Sequence, residues 1–143
     1  MKIHLADRQK ALPLSKPIVR KIVRTVLTFL NSEHTEISLY FITDREIAQM
    51  HAQFFDDPTP TDCISFPIDH EHLGEIFVST ETALRYGAKH KIDPYDETTL
   101  YIIHGILHCL GFDDLDPKSK KTMRKMEKRC MAHLKEHNLS LTP

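Results

Sequence analysis

His104 and His108 are the side chains of this chain best placed to do chemistry, in the stretch His104-Gly105-Ile106-Leu107-His108-Cys109-Leu110-Gly111-Phe112-Asp113-Asp114. Residues four apart on a helix share a face, with Cβ atoms about 5–6 Å apart, so both imidazoles can point at one ion. Gly111 suits the left-handed position that ends a helix, since it has no Cβ to clash there. A reversal at that point swings Asp114 back toward the imidazoles. Two His and one carboxylate make three protein ligands, and a catalytic zinc keeps a fourth position for water or substrate. The chemistry expected is metal-assisted hydrolysis, in which the ion polarises a substrate oxygen, activates water, or both.

Spacing alone does not carry this reading. His133 and His137 repeat it, but they sit in a lysine-rich stretch with no glycine turn or acid behind them, and read as solvated helix surface. Around His104 and His108 the sequence is apolar: Leu100-Tyr101-Ile102-Ile103 precede them and Ile106-Leu107 lie between. A helix buried on most faces follows, and buried polar groups need partners. Peptidase chemistry is disfavoured, because zinc peptidases carry Glu as general base where this chain has Gly105.

The elements that must position these residues alternate. Lys2 to Ala6 reads as a short strand. Pro17 to Leu30 reads as an amphipathic helix, with Ile18, Ile22, Val26 and Phe29 near helical spacing. Glu36 to Ile42 is β-branched and aromatic, a strand. Thr43-Asp44-Arg45-Glu46 forms a capping box for a helix to about residue 54. Turn residues Asp56 to Pro60 make a loop. Strands are expected over Ile64 to Ile68 and Glu75 to Ser79, with His70 and His72 exposed in the loop between them. Thr80 to Lys89 is helical. Asp93-Pro94 and Asp116-Pro117 each start a helix, the first running to Cys109 and the second to His137. Interleaving of this kind predicts an α/β (α+β) arrangement on a small sheet.

A chain of 143 residues fits one domain, 1–143, with a real core. Three cysteines without a Cys-x-x-Cys spacing suit reduced thiols, and Cys109 reads as core filler. With no signal-like N-terminus and no apolar stretch of spanning length, a cytoplasmic protein away from membranes is expected. The charge is segregated. Residues 1–32 carry seven basic groups against one acid, residues 33–116 four against seventeen, and residues 117–143 eight against two. Basic ends can engage RNA phosphates, or simply solvate helix faces.

The string HGILHCLGFDD resembles the signature of the YbeY family of bacterial endoribonucleases, usually H-G-x-L-H-L-x-G-[YF]-D-H. Pro60-Thr61-Asp62-Cys63-Ile64-Ser65-Phe66-Pro67 resembles that family's P-T-D-V-L-S-F-P, and Leu73-Gly74-Glu75-Ile76 its L-G-D-I. The resemblance implies a zinc-dependent endonuclease for single-stranded RNA. Its role would be ribosomal RNA maturation, notably at the small-subunit 3′ end, and ribosome quality control, with ribosomal partners. It also implies a mixed sheet of about four strands packed with about five helices, the metal helix central. His104, His108 and Asp114 would hold the ion. Asp113 would either hold an imidazole N–H or bind in place of Asp114. Thr61, Asp62 and Ser65 either line the cleft or make local loop bonds, and Glu75 either orients a ligand or is a strand-edge acid. Two positions depart from the pattern. Asp114 stands at the family's third His, which leaves the ion a poorer Lewis acid. Phe55 stands at an Arg associated with activity, and Phe cannot contact phosphate as Arg does. The second departure favours an alternative, a metal-stabilised ribosome-assembly factor with weak or no nuclease activity.

Overall fold

The computed structural model describes residues 1–143. In chain order the elements are β1 (Lys2–Asp7), α1 (Lys16–Phe29), β2 (Glu36–Ile42), α2 (Asp44–Phe55), β3 (Cys63–Pro67), β4 (His72–Ser79), α3 (Thr80–His90), α4 (Pro94–Cys109) and α5 (Pro117–Glu136). Their starts follow from local chemistry. Thr43, Ser79, Asp93 and Asp116 each accept a backbone N–H of the first turn that follows, and α1, α4 and α5 carry proline there.

The sheet order is β1-β2-β4-β3. The first three strands are parallel, and β3 runs antiparallel to β4. Strand parity then sorts the side chains. Ile3, Ile37, Leu39, Phe41, Ile76 and Val78 enter the main core with α1, α4 and α5. Residues of the opposite parity, Tyr40, Ile42, Ile64, Phe66 and Phe77, form a smaller cluster under Ile47 and Met50 of α2. The result is a mixed four-stranded sheet with most helices on one face and α2 on the other.

α4 is the best-enclosed helix, packed against α3, α5, β3 and β4. Its burial on most sides explains why its apolar residues run continuously instead of tracing a stripe. Gly105 makes the approach to the sheet possible: a Cβ at that position would lie 2.6 Å from Ile76 Cγ2. No helix is long and apolar enough to cross a membrane.

Three sequence expectations need correction. β4 starts at His72, three residues before Glu75, because the register continues through the pairing of Glu36 with His72. His72 is therefore not an exposed loop residue: it is half-buried, with Nε2 3.2 Å from the Ser38 hydroxyl. His133 is also half-buried, its ring stacked on Phe29 with centroids 4.2 Å apart, while His137 is exposed as expected.

Candidate metal centre

The end of α4 builds the site. Gly111 has φ +102°, a conformation that L side chains rarely adopt. Its N–H donates to the His108 carbonyl and that of Phe112 to the Leu107 carbonyl, each at 3.0 Å. This pair of bonds is the Schellman reversal, and it folds the chain back over the helix it has just ended. Asp114 arrives with Oδ2 3.9 Å from His104 Nε2 and Oδ1 4.0 Å from His108 Nε2. The two Nε2 atoms are 3.0 Å apart. His104, His108 and Asp114 thus offer one ligand atom each, all within 4.8 Å of one another.

Chemistry of the donors decides whether a metal fits. Two imidazole nitrogens facing each other at hydrogen-bond distance must either share a proton or direct both lone pairs at a cation. For metal bonds of about 2.0–2.1 Å, tetrahedral ligands lie roughly 3.3–3.4 Å apart, which the observed separations bracket. The group fits a small transition-metal ion.

Sequence reasoning missed the residue behind His104. Glu127 of α5 is only 4% exposed, and its Oε2 lies 2.7 Å from His104 Nδ1. Accepting the Nδ1 proton leaves the Nε2 lone pair facing the cluster, which is how carboxylates fix the tautomer of metal-binding histidines. Arg124 Nη1 donates to Glu127 Oε1 at 2.7 Å, so the carboxylate is satisfied on both sides.

These contacts set the titration. Burial disfavours the His104 imidazolium, but the Glu127 hydrogen bond and charge outweigh it and hold that pKa above the ordinary 6.5. Burial and the neighbouring His104 lower that of His108. Burial raises Glu127, yet its bonds to His104 and Arg124 leave the net shift downward from 4.5. The signs are opposite and bound a window. A depressed carboxylate stabilises the fold above about its unfolded value and loses that contribution as pH falls through the folded pKa. A raised imidazole stabilises below its unfolded value and loses that contribution as pH rises through the folded pKa. Glu127 and His104 together therefore contribute most between pH 4.5 and 6.5, while the depressed His108 costs stability below 6.5 and opposes them. The melting-temperature difference between chelated native and Glu127→Gln protein checks the pair's share across pH; a difference that keeps growing beyond neutrality contradicts it.

The other expected residues divide. Thr61 and Ser65 line a cleft of about 270 Å³ together with His104, His108 and Phe55. Asp62 caps the start of β3, accepting the Cys63 N–H at 2.6 Å, and lies close enough to His104 to favour its charged form. Asp113 spends one carboxylate oxygen on the Leu115 N–H at 3.2 Å, whereas Asp114 joins the imidazoles. Glu75 falls on the opposite sheet face, where it accepts the Tyr40 hydroxyl at 3.0 Å; strand alternation gives α4 to Ile76 instead. Cys109 is half-buried against the core with its thiol pushed up to about 11 by burial. Phe55 is 56% exposed at the cleft, its ring 5.7 Å from that of His51, a second cleft residue that the sequence reading passed over.

Comparison with known proteins agrees with this architecture. The profile of the family described as Endoribonuclease YbeY matches residues 4–135. An Endoribonuclease YbeY of Protochlamydia amoebophila is 41% identical, with 96% of this chain and 95% of the relative aligned. One from Chlamydia pneumoniae is 36% identical over 99% of this chain and 96% of its own length. The fold is that of a Thermotoga maritima protein solved in solution, with a TM-score of 0.68, 21% identity, and 95% of this chain and 91% of that one covered. With the match spanning nearly the whole chain, this protein belongs to the YbeY endoribonuclease family.

Proposed function

We propose that this chain is a metal-dependent endonuclease for single-stranded RNA, acting in ribosomal RNA maturation, including the small-subunit 3′ end, and in ribosome quality control. The observation that carries the reading is the convergence of His104, His108 and Asp114 on one point at the wall of an open cleft. His104 and His108 would hold the ion through Nε2 and Asp114 through a carboxylate oxygen, with zinc the expected metal. A bound ion would supply Lewis-acid polarisation of a phosphoryl oxygen and a more acidic water. The chain's own residues do the rest. Glu127 keeps His104 in the tautomer whose Nε2 faces the cleft. Thr61 and Ser65 present hydroxyls along the cleft where a phosphodiester would lie. Such a protein would work in the cytoplasm, among ribosomes and their proteins.

Cleavage of a labelled single-stranded RNA by metal-quantified protein tests this. Native protein should cut, lose the activity on chelation and regain it with added zinc, while His104→Ala prepared identically should not cut. Equal cutting by both would assign the activity to a contaminant.

Phe55 supports a second reading, a metal-stabilised ribosome-assembly factor with little nuclease activity. An exposed Phe at the cleft can stack on a base but cannot neutralise transition-state charge. Introducing the missing cation by Phe55→Arg is expected to raise cleavage about tenfold or more, since electrostatic stabilisers of this kind are worth several kcal/mol. An unchanged rate would mean that another cation already serves.

A further inference from the structure

A second and larger cavity neighbours the imidazole cleft. It spans about 760 Å³ and is lined from α3, α4, α5, the α3–α4 turn at Ile92 and the residue Asp62, within the roughly 300–1,000 Å³ typical of ligand sites. Glu127 forms part of its wall and also holds His104. One carboxylate therefore separates this space from the metal centre.

Its lining is selective. Glu97 is 6% exposed and lines the cavity beside Tyr101, whose hydroxyl bears on its carboxylate, which leaves acceptor sites on that carboxylate unused. Asp62 adds a second acceptor. Tyr86 contributes an aromatic ring that is 42% exposed. Arg124 and Lys128 supply exposed cations on the α5 side. A phosphate does not suit the interior, where Asp62, Glu97 and Glu127 would repel it. A neutral planar group that donates hydrogen bonds does suit it.

We infer that this cavity is a base-binding subsite, which takes the nucleobase next to the phosphodiester at the imidazoles and prefers guanine. The inference rests on the endonuclease reading and deepens it. An aromatic ring stacks on any base, which supplies affinity without selectivity. A carboxylate can only accept, so it matches guanine, whose N1–H and N2–H donors lie side by side. Uracil offers one donor between two carbonyls, which a carboxylate opposes. Arg124 and Lys128 would then meet the phosphates of the strand as it leaves, fixing its register without reading sequence.

The test measures fluorescence anisotropy of metal-loaded protein with two labelled, nuclease-resistant 2′-O-methyl phosphorothioate pentamers, AAGAA and AAUAA, at one salt concentration. Native protein should bind the guanine probe about tenfold tighter, the scale of one good base-edge contact. Glu97→Gln should bring the two affinities together while leaving AAUAA unchanged. Tyr86→Ala should weaken both by about tenfold, as expected for loss of a stacked base. Unchanged melting temperatures would exclude misfolding as the cause. Equal affinities for the two probes in the native protein would overturn the proposal, as would variants that bind like it. Displacement by free 5′-GMP as tightly as by the guanine probe would overturn the strand assignment and give the cavity to a mononucleotide. The cleavage assay on the same samples separates the two readings. Selective binding without cleavage leaves the subsite and removes the nuclease, and cleavage without selectivity does the reverse.

Discussion

Glu127→Ala is expected to lower metal affinity by about 10- to 100-fold, the usual effect of removing the carboxylate behind a metal-binding histidine. The reason is local. His104 Nδ1 would lose its acceptor at 2.7 Å, and Arg124 would lose the partner that its Nη1 now meets at 2.7 Å. An imidazole without that anchor can rotate or donate from Nε2, and either change takes its lone pair away from His108. Glu127→Gln separates the roles of shape and charge. The amide keeps the volume and one acceptor oxygen, so it should retain the fold while losing the charge that favours His104 as a donor at Nδ1. Zinc titration against a competing chelator measures the affinities. Retention of native affinity in Glu127→Ala would show that Gly111 and Asp114 suffice to orient the site. The two substitutions should also part in stability: Ala leaves the buried His104 Nδ1–H without its acceptor, which costs about 1–3 kcal/mol, whereas Gln keeps one acceptor oxygen and much of the packing.

Why Glu127 escaped sequence reading while His104 did not is a matter of where each signal lies. His104, His108, Gly111 and Asp114 fall within eleven residues, so helix geometry and one glycine link them without tertiary knowledge. The same holds for the elements, whose caps at Thr43, Asp93 and Asp116 are local and stand where the local reading put them. Glu127 is 23 residues from its partner, on a helix so rich in lysine that it reads as surface. Its signal was nevertheless in the periodicity. Met123, Glu127, Cys130 and Leu134 are the buried positions of α5, an i, i+4, i+7, i+11 stripe in which one member is an acid. A carboxylate on an apolar stripe must find a partner, and a histidine on a buried helix is a natural one. Of the two readings open for Glu75, the strand acid fits and the ligand-orienting one does not, for the converse reason. Its motif neighbours are near the site, but period-two alternation turns its side chain to the face bearing Tyr40. The start of β4 was displaced because His70-Glu71-His72 reads as a polar turn, whereas pairing with Glu36 supplies the ladder that makes His72 a strand residue. The large cavity has no linear signature, since α3, α4, α5 and Asp62 each give only a few of its walls.

The second large effect is expected where α4 meets the sheet. Gly105→Ala should destabilise the protein by about 1–3 kcal/mol, the range for inserting a methyl into a filled core, even though alanine favours helix over glycine by about 1 kcal/mol. The added Cβ meets Ile76 Cγ2 at 2.6 Å. That methyl cannot swing away easily, because β-branched side chains are restricted at χ1 and Ile76 is fully buried. Ile76→Ala alone should cost about 2–5 kcal/mol through the cavity it leaves. Combined, the two changes should cost less than their sum, since the methyl added by Gly105→Ala enters the space that Ile76 vacates. A double-mutant cycle by denaturant unfolding reads this coupling directly; strict additivity would show that α4 moves aside instead of clashing. Movement of α4 has its own signature. The helix carries both imidazoles, while Ser65 on β3 and Glu127 on α5 stay with their own elements. Sliding α4 off the sheet would shift His104 relative to Glu127, so Gly105→Ala should then lose metal affinity as well as stability. A site that keeps its affinity while the fold weakens would locate the strain at Ile76 alone.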